Sequence, residues 1–563
     1  MDILSEIAEM KSRSRGDCQT HLPHLASSPN EPKRRLDPLR CLRRMAFSLR
    51  SALGVLPMIG LLLLACFGFC NSSTSPAFAK KKNASEDLFG NRGTTHFVAT
   101  SGNDDGPGTA ERPWATVNYA AEQAGPGDTI IVRGGHYLLP AQVRLRNSGQ
   151  PDAWITFIGY RGEEAILDAR MVQRTPSAIL NNGAFQIEGV SFIRVANLSV
   201  INSHDAGFTV RDSSNVDLIN NSTKGTFSSG IAVWDTNHEG KVANNIRIIS
   251  NTITNATTWD LAPPDVPRRR WAPHEAVSIG GAVNFEVAYN HVYGSENEGI
   301  DVKETSKRGK VHHNLVHNLG AQGIYVDAWF GEIDDIEIFS NVVHDCRGAG
   351  MVISVENGES VSKVAIHHNL VFNNDGSGMF FSRWGVNNIR RNIEVSNNVF
   401  YHNGYGPAKP GQTYHWLTGG LYFYSTKLYD ISIRRNIFSD NRGFQIGYSD
   451  LFLKDGRSWP EVAQEHGIQI TGNLIDGRNT TDVPIKSGGA PADQVDIYAV
   501  NGDAAVFGSP LFKDSANQDF TLRRGSPAAA GYIAAGAYAP GSPSHLWWKR
   551  NFPPRLVRNP IPH

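Results

Sequence analysis

Most of this chain consists of short runs in which apolar and polar positions alternate, separated by turns rich in glycine and asparagine. One asparagine recurs among these runs in a nearly constant context, apolar-x-x-Asn-apolar-apolar. Its ten occurrences are Asn197, Asn221, Asn251, Asn290, Asn314, Asn341, Asn369, Asn398, Asn436 and Asn473. The intervals between them run from 24 to 39 residues, which predicts a solenoid of stacked coils. We expect all ten side chains to face inward and to hydrogen-bond to one another along the axis.

A second repeated segment reads glycine-apolar-x-apolar and marks one strand in each coil. It begins at Gly207, Gly230, Gly299, Gly323, Gly350, Gly378 and Gly420, and Ala276 replaces the glycine once. Because the side chains of a strand alternate between its two faces, the apolar residues should lie inside the solenoid and the x residues outside. Superimposing the segments therefore predicts which outward residues of successive coils are neighbours.

The first 79 residues differ in character from the rest and predict an export signal. Met45 opens a run with a basic residue, an apolar core over 53–69 and the pattern Ala-x-Ala at 77–79. This order is typical of a signal peptide that starts at Met45 and is cleaved near Ala79. A lipoprotein signal ending at Cys66 and a permanent membrane anchor are the alternatives. We expect the mature protein to be secreted, periplasmic or attached to the cell surface, without a membrane span.

The rest of the chain divides into a polar linker (80–94), an N-terminal cap with the first coil (95–145), a solenoid (146–540) and a C-terminal tail (541–563). Within the cap, 117–124 predicts a short helix that covers the open end of the solenoid. Signal cleavage leaves only Cys346 of the five cysteines, which excludes a disulfide framework. The formal net charge is zero and the repeats contain no long basic tract, so we expect no binding to nucleic acid. We also expect a monomer.

The cap and the end of the repeats carry motifs of a known superfamily. The opening includes Thr100-Ser101-Gly102-Asn103-Asp104 and Gly134-Gly135-His136-Tyr137, and the ending includes Pro510-Leu511-Phe512 and Gly525-Ser526-Pro527-Ala528. In these motifs the chain resembles the right-handed parallel β-helix proteins of the pectate-lyase-like superfamily, and its opening resembles polysaccharide lyase family nine. The resemblance implies an all-β fold, a single-stranded right-handed parallel β-helix with the usual final coil. Many unrelated activities use this scaffold, so the reaction needs separate evidence.

Superimposing the repeated segments brings Glu275, Glu298, Asp301, Lys303 and Asp327 from three successive coils into one outward patch. Adjacent coils lie about 4.8 Å apart, so the patch should measure roughly 10 Å across. A solvated strand face with ordinary salt bridges is the plain interpretation. Four carboxylates around one lysine would repel one another, however, and a bound cation would relieve that repulsion. Oxygen ligands of this kind favour Ca²⁺.

The segment 296–304 resembles the motifs of two lyase families. Polysaccharide lyase family six carries Glu-x-Glu with a lysine five residues further on, and Glu296, Glu298 and Lys303 match that spacing. Family nine carries acid-acid-Gly-x-Asp, which 297–301 matches except that asparagine replaces the first acid. The second basic residue of family six and the later lysine of family nine have no counterpart that the alignment places.

Together with the patch, this resemblance implies a calcium-dependent lyase that cleaves an acidic, uronate-containing polysaccharide by β-elimination. The implied metal ligands are Glu275, Glu296, Glu298 and Asp301, and the implied catalytic residues are Lys303 and Asp327. Calcium would neutralise the substrate carboxylate, and Lys303 would remove the C5 proton. The surrounding carboxylates raise the pKa of such a lysine and a bound dication lowers it, so removing calcium should abolish turnover.

An insertion over 258–271 and several aromatic residues indicate how a glycan could be held. The candidate substrate-binding residues are Arg270, Trp271, His274, Tyr325, Trp329 and Arg383. Tryptophan stacks on sugar rings, and arginine binds carboxylates through paired hydrogen bonds. Solvated loop charge and ordinary packing are the plain alternatives for these residues.

Three other functions are compatible with the same sequence. A uronate C5-epimerase abstracts the same proton as a lyase. A glycoside hydrolase would use Asp301 and Asp327 as its acid and base, with carboxyl groups about 6.5–9.5 Å apart in an inverting enzyme. A non-catalytic β-helix for adhesion or glycan binding would need acids and aromatics but no free base.

Overall fold

The computed structural model describes residues 93–173, 181–268, 273–407, 417–477, 485–486 and 496–529. Over these ranges the chain winds into successive coils that build three long sheets of 13 strands each. Strands of neighbouring coils pair in parallel, and antiparallel pairs occur only among the C-terminal strands of the described ranges. The predicted right-handed parallel β-helix is thereby confirmed.

Each sheet takes one strand from each coil, and the sheets are numbered in the order in which a coil visits them. Sheet 1 contains Val143–Arg144, Gly183–Glu188, Ala206–Arg211, Ile231–Trp234, Val277–Gly280, Ile300–Lys303, Ile324–Ala328, Met351–Val355, Met379–Phe381, Leu421–Phe423, Ile446–Ser449, Asp496–Ala499 and Ile485–Lys486. Sheet 2 contains Thr95–Val98, Thr129–Val132, Ile155–Gly159, Ser191–Ala196, Ser214–Ile219, Asn244–Ile249, Val283–Ala288, Lys307–His312, Glu332–Phe339, Ser360–His367, Ile389–Ser396, Leu428–Arg434 and Gln469–Thr471. Sheet 3 contains Gly135–Leu138, Ala165–Asp168, Leu198–Ser203, Ser222–Thr226, Thr252–Thr254, His291–Tyr293, Leu315–His317, Val342–His344, Leu370–Phe372, Val399–Tyr401, Ile437–Ser439, Leu474–Asp476 and Val506–Phe507.

Helices are short and lie between the strands. The α-helices are Val117–Gln123 and Trp459–His466, and the 3-10 helices are Trp259–Leu261, Asp450–Leu453, Ser515–Asn517 and Pro527–Ala529. The first helix confirms the prediction for the cap, although it ends one residue earlier. It begins after Thr116, whose side chain accepts a hydrogen bond from a backbone N–H of the first turn. Its buried residues, Val117, Ala120 and Ala121, pack against the core of the first coils.

The interior asparagine ladder forms as predicted for nine of the ten asparagines. The backbone N–H of Asn314 donates to Asn341 Oδ1 at 3.1 Å, and its side-chain amide donates to the same oxygen at 2.9 Å. The amide also donates to the carbonyl of Val287 on the preceding coil at 2.9 Å. The same pattern links each ladder member to the next from Asn221 to Asn473. These bonds satisfy buried backbone groups where each coil turns from sheet 2 to sheet 3.

The prediction was wrong for Asn197, which lies one position before the ladder. Leu198 occupies the ladder position, and its backbone N–H donates to Asn221 Oδ1 at 3.1 Å. The Asn197 side chain accepts instead from the amide of Asn220 at 2.7 Å, at the partly exposed outer position. Its φ of 55° lies in the left-handed region, which asparagine adopts more readily than most residues. The local sequence pattern matched the motif, but the strand register excludes it.

The C-terminal end differs from the expected final coil. Phe512–Asp514 and Asp519–Leu522 pair as an antiparallel hairpin. Phe520 and Leu522 are buried against the outer face of sheet 3, where the ring of Phe520 lies 4.9 Å from that of Phe372. The hairpin therefore covers apolar side chains that would otherwise face water.

The structure bears in part on the predictions about export and the single remaining cysteine. The signal segment ending at Ala79 lies outside the described residues. Within the described ranges, no helix combines the length and apolar content needed to cross a membrane. Cys346 is buried as a free thiol in the core.

Candidate active site around Lys303

The pairing of sheet 1 strands confirms the predicted columns of outward residues. Asp301 pairs with Tyr325 on the next coil, and Lys303 pairs with Asp327. Paired residues of parallel strands project from the same face, so these four side chains are neighbours. Glu275 joins them by direct contact with Lys303.

The patch is buried, which excludes the solvated strand face that was its plain interpretation. Asp301 is 1% exposed, Asp327 is 3% exposed and Glu275 is 7% exposed. Lys303 and Glu298 keep partial access to solvent. Removing a charged group from water costs roughly several kcal/mol of folding free energy for each ion, unless neighbouring charges and hydrogen bonds compensate that cost. A buried cluster of this kind is a recognised mark of a functional site.

Lys303 lies at the centre of the cluster and contacts two acidic side chains. Its Nζ donates to Glu275 Oε1 at 2.9 Å and lies 3.5 Å from Asp301 Oδ2. The second oxygen of Glu275 accepts a hydrogen bond from the hydroxyl of Ser278. Both oxygens of Glu275 are therefore occupied by donors.

These contacts favour a negative charge on Glu275 and a positive charge on Lys303. Burial alone would raise the pKa of Glu275, but the ammonium of Lys303 and the nearby His274 hold it below its ordinary value. Burial would likewise lower the pKa of Lys303, but Glu275 and Asp301 raise it well above the ordinary lysine value. The two groups therefore form an ion pair near neutral pH.

The pKa values of the other carboxyl groups in the cluster are raised, whereas the pKa of Glu275 is lowered. Burial, with the Glu275 carboxylate, raises the pKa of Glu298 to about 8. Burial also raises the pKa of Asp301 well above its usual range, against the opposing effect of Lys303. Burial and the Glu356 carboxylate do the same for Asp327. The cluster therefore combines the ion pair of Lys303 and Glu275 with carboxyl groups whose pKa values are raised by burial, which favours their protonated forms.

The structure adds two acids that the sequence columns did not identify. Glu304 follows Lys303 and is buried, and burial raises its pKa to about 7. Strand alternation predicts that residue 304 points inward, but its φ of 65° ends the strand and turns the side chain out of that pattern. Glu356 follows the end of strand Met351–Val355 and accepts a hydrogen bond from the hydroxyl of Tyr325. The one sequence feature that could have identified Glu356 as a site residue is its position directly after the aligned strand of its coil.

A buried arginine lies close to the cluster. Arg390 has no exposed surface, and its Nη1 donates to Asn387 Oδ1 at 2.8 Å and to the Asn388 carbonyl at 2.7 Å. Burial lowers its pKa to about 10, while Tyr325 and the acids near it act against that shift. Arg390 projects from sheet 2 toward the interior, so an alignment of outward columns in sheet 1 could not locate it.

The arrangement does not fit the calcium site that the sequence predicted. The ammonium of Lys303 lies between Glu275 and Asp301, where a cation would need their oxygens. Glu296 turns away, and its Oε1 accepts from Thr258 Oγ1 at 2.8 Å and from the next backbone N–H at 3.2 Å. Among the described residues, no three acidic, histidine or cysteine side chains are grouped so as to hold a metal ion. Calcium at this site stays a prediction.

The predicted substrate-binding residues that the structure describes differ in exposure. Tyr325 is buried, whereas Arg383 is exposed and lies over the ring of Tyr424 at 5.9 Å. His274 is half-buried, and its ring meets that of Trp234 at 5.5 Å. Trp329 is also half-buried. The remaining two candidates, Arg270 and Trp271, lie outside the described residues.

Two protein-family models match parts of the chain. Residues 96–262 match the family described as Pel9A-like, right handed beta helix region, and residues 182–361 match the family described as right handed beta helix region. The first match ends before Glu275, so it does not extend to the cluster. The cluster falls within the second match, which describes a fold rather than a reaction.

Two curated proteins are similar over different lengths. The uncharacterized protein YwoF of Bacillus subtilis is 25% identical over 471 residues, which cover 77% of this chain and 91% of that protein. Pectate lyase PEL9 of Emericella nidulans is 29% identical over 156 residues, which cover 27% of this chain and 37% of the lyase. The chain thus spans little more than a third of the relative whose name states an activity.

Solved structures with similar coils include enzymes of different classes. Pectate lyase Pel9A is 12% identical with a TM-score of 0.33, over 61% of this chain and 75% of that one. The GH136 lacto-N-biosidase from Eubacterium ramulus is 13% identical with a TM-score of 0.37, over 56% of this chain and 64% of that one. The matched regions and the observed coils together show that this chain folds as a right-handed parallel β-helix.

Proposed function

We propose that the protein is an exported enzyme that cleaves uronate-containing polysaccharide by β-elimination at the cluster around Lys303. The observation that carries the proposal is the ammonium of Lys303, which donates to the buried Glu275 at 2.9 Å and lies beside the buried Asp301 and Asp327. Elimination from a 4-linked uronate needs a positive charge near the C6 carboxylate, a group that accepts the C5 proton and a group that protonates O4. The similarity to pectate lyase PEL9 and the predicted signal ending near Ala79 support the substrate class and the export.

In this scheme Lys303 acts as a cation rather than as the base. Its raised pKa keeps it protonated, because Glu275 and Asp301 stabilise the ammonium. A protonated lysine pairs with the substrate carboxylate and stabilises the negative charge that develops as the C5 proton leaves. This role replaces the proton abstraction that the family resemblance implied for Lys303.

Glu298 and Asp327 are assigned the two proton transfers. Glu298 keeps partial access to solvent, and its pKa is about 8. Its carboxylate is the minor form near neutral pH, and that form is a stronger base than an ordinary glutamate. Burial and the Glu356 carboxylate raise the pKa of Asp327 well above its usual range, which favours its protonated form, and Asp327 lies beside Lys303 on the next coil. The C5–H and C4–O4 bonds break, a C4–C5 double bond forms, Glu298 receives one proton and Asp327 gives one to O4.

Incubation with pectate, alginate and chondroitin or dermatan sulfate tests the proposal. The product is read as ultraviolet absorbance of unsaturated uronate ends, with one arm containing Ca²⁺ and one containing EDTA. Lys303→Met should lower kcat/KM by about 10²–10³-fold, as for removal of one group that stabilises an oxyanion. Lys303→Arg keeps the charge and should retain part of the activity.

Three results would contradict this scheme. Equal loss of activity in Lys303→Arg and Lys303→Met would return Lys303 to the role of base. Activity that disappears in EDTA and returns with Ca²⁺ would restore the calcium-dependent scheme. Absence of any product from all the polysaccharides would favour the non-catalytic glycan-binding alternative.

A glycoside hydrolase is the second candidate, and one observation favours it. Glu275 and Glu298 lie on adjacent coils, and their pKa values shift in opposite directions. A low and a raised carboxyl pKa side by side are typical of a base and an acid in one site. The pair suggested by sequence, Asp301 and Asp327, lacks this contrast because both values are raised. New reducing ends without unsaturation would identify hydrolysis.

A further inference from the structure

A buried chain of hydrogen bonds leads from Asn181 to the carboxylate that holds Lys303. The amide of Asn181 donates to Ser229 Oγ at 3.0 Å, and Ser229 Oγ lies 3.0 Å from Ser278 Oγ. The hydroxyl of Ser278 donates to Glu275. Asn181, Ser229 and Ser278 have no exposed surface. The chain therefore runs through the protein interior and ends at the candidate active site.

The direction of every bond in this chain follows from its first residue. The backbone N–H of Ser229 can only donate, and it donates to Asn181 Oδ1 at 3.1 Å. The other side-chain atom of Asn181 is therefore the NH₂ group, which can only donate, so Ser229 Oγ accepts from it. The hydrogen of Ser229 is left for Ser278, and the hydrogen of Ser278 is left for Glu275.

This direction fixes the state of Glu275. Its Oε2 accepts from Ser278 and its Oε1 accepts from the ammonium of Lys303 at 2.9 Å. A carboxylate accepts two such bonds, whereas a protonated carboxyl would present a competing donor. Without the Ser278 donor, the buried Glu275 carboxylate would lose one of the two bonds that fix its orientation, and its hydrogen bond to the Nζ of Lys303 would weaken.

We propose that Asn181, Ser229 and Ser278 are positioning residues that keep Glu275 as a hydrogen-bond acceptor and thereby hold the Lys303 ammonium at the reacting site. The proposal rests on the proposed function only for the use made of that ammonium. The chain itself is a property of the folded protein and can be measured without substrate.

Competitive acetylation of the full-length protein with acetic anhydride gives this measurement. The reagent modifies only neutral amines, and mass spectrometry compares the labelling of Lys303 with that of the exposed Lys454. Ser278→Ala removes the last donor and should increase the relative labelling of Lys303 about tenfold, because hydrogen bonds to charged groups are the strong ones.

Asn181→Asp provides a second, nearly isosteric test. A carboxylate at this position can only accept hydrogen bonds. The hydroxyl of Ser229 would therefore donate to residue 181, and its oxygen would accept a hydrogen bond from the hydroxyl of Ser278. Ser278 would then no longer donate to Glu275, and Lys303 labelling should rise although no side chain has shrunk. A purely structural role for the chain would not produce this change.

Ser382→Ala is the matched control. Ser382 is a fully buried serine near the same sheet, and it donates to Ser354 Oγ at 2.6 Å without a link to Glu275. In this variant the labelling of Lys303 relative to Lys454 should equal that in the wild type. Unchanged Lys303 labelling in both Ser278→Ala and Asn181→Asp would overturn the proposal. Raised labelling without unsaturated product in the wild type would instead leave the positioning intact and reject the lyase function.

Discussion

Replacing Asn341 with alanine should remove one step of the interior ladder and destabilise the solenoid strongly. The side-chain oxygen of Asn341 accepts from the backbone N–H of Asn314 at 3.1 Å and from its amide at 2.9 Å. The side-chain amide of Asn341 donates to the carbonyl of Val311 at 2.9 Å and to Asn369 Oδ1 at 3.0 Å. All of these groups are buried.

The magnitude follows from the partners that the substitution leaves behind. The backbone N–H and one amide hydrogen of Asn314 and the carbonyl of Val311 lose their partners, whereas Asn369 Oδ1 keeps the backbone N–H of residue 341 at 2.9 Å. Each buried group without a partner costs about 1–3 kcal/mol. The free energy of unfolding should therefore fall by roughly 3 kcal/mol or more, by the same accounting.

Chemical denaturation followed by circular dichroism measures this change, and Asn197→Gly is the matched control. Asn197 shares one hydrogen bond at the partly exposed outer turn, and glycine adopts its φ of 55° without strain. The control should lose less than about 1 kcal/mol. Equal shifts of the two midpoints, or a loss below about 1 kcal/mol for Asn341→Ala, would refute the assignment of stability to the ladder.

Two further predictions concern charge. Asp217→Asn should lower the free energy of unfolding by about 2–4 kcal/mol, because the buried Asp217 binds both Arg194 and Arg247; an unchanged thermal midpoint would contradict this. Stability should also fall as pH rises from 4.5 to about 8, since folded Glu298 retains a proton that the unfolded chain releases. Glu298→Gln should flatten that decline in midpoints measured from pH 5 to 9, and an equally steep decline would reject the shift.

The sequence predicted the coils and the columns of sheet 1 because parallel strands in register repeat the same neighbours in every coil. Asp301, Tyr325, Lys303 and Asp327 could be placed side by side from spacing alone. The register of one turn could not, since Asn197 matches the motif but lies one position away from the ladder. A local pattern does not contain the pairing partner, which only the folded neighbour supplies.

The chemistry of the site was less accessible to sequence than its position. Strand alternation gives the direction of a side chain but not what covers it, so the burial of Asp301 and Asp327 was not predicted. The ammonium of Lys303 and the turn of Glu296 toward Thr258 depend on side-chain conformations. Glu304 escaped notice because its backbone leaves the strand geometry on which the alignment rests.

The ladder also has a consequence for how such a protein can change over evolutionary time. Its bonds join only the turn between sheets 2 and 3, and they repeat unaltered although the intervals between the asparagines differ. The longest interval, 39 residues from Asn251 to Asn290, holds the loop that meets Glu296 at the edge of the candidate site. Loops elsewhere in a coil can therefore be lengthened or exchanged while the stacking stays fixed. A new glycan preference could arise by replacing one loop beside an unchanged Lys303.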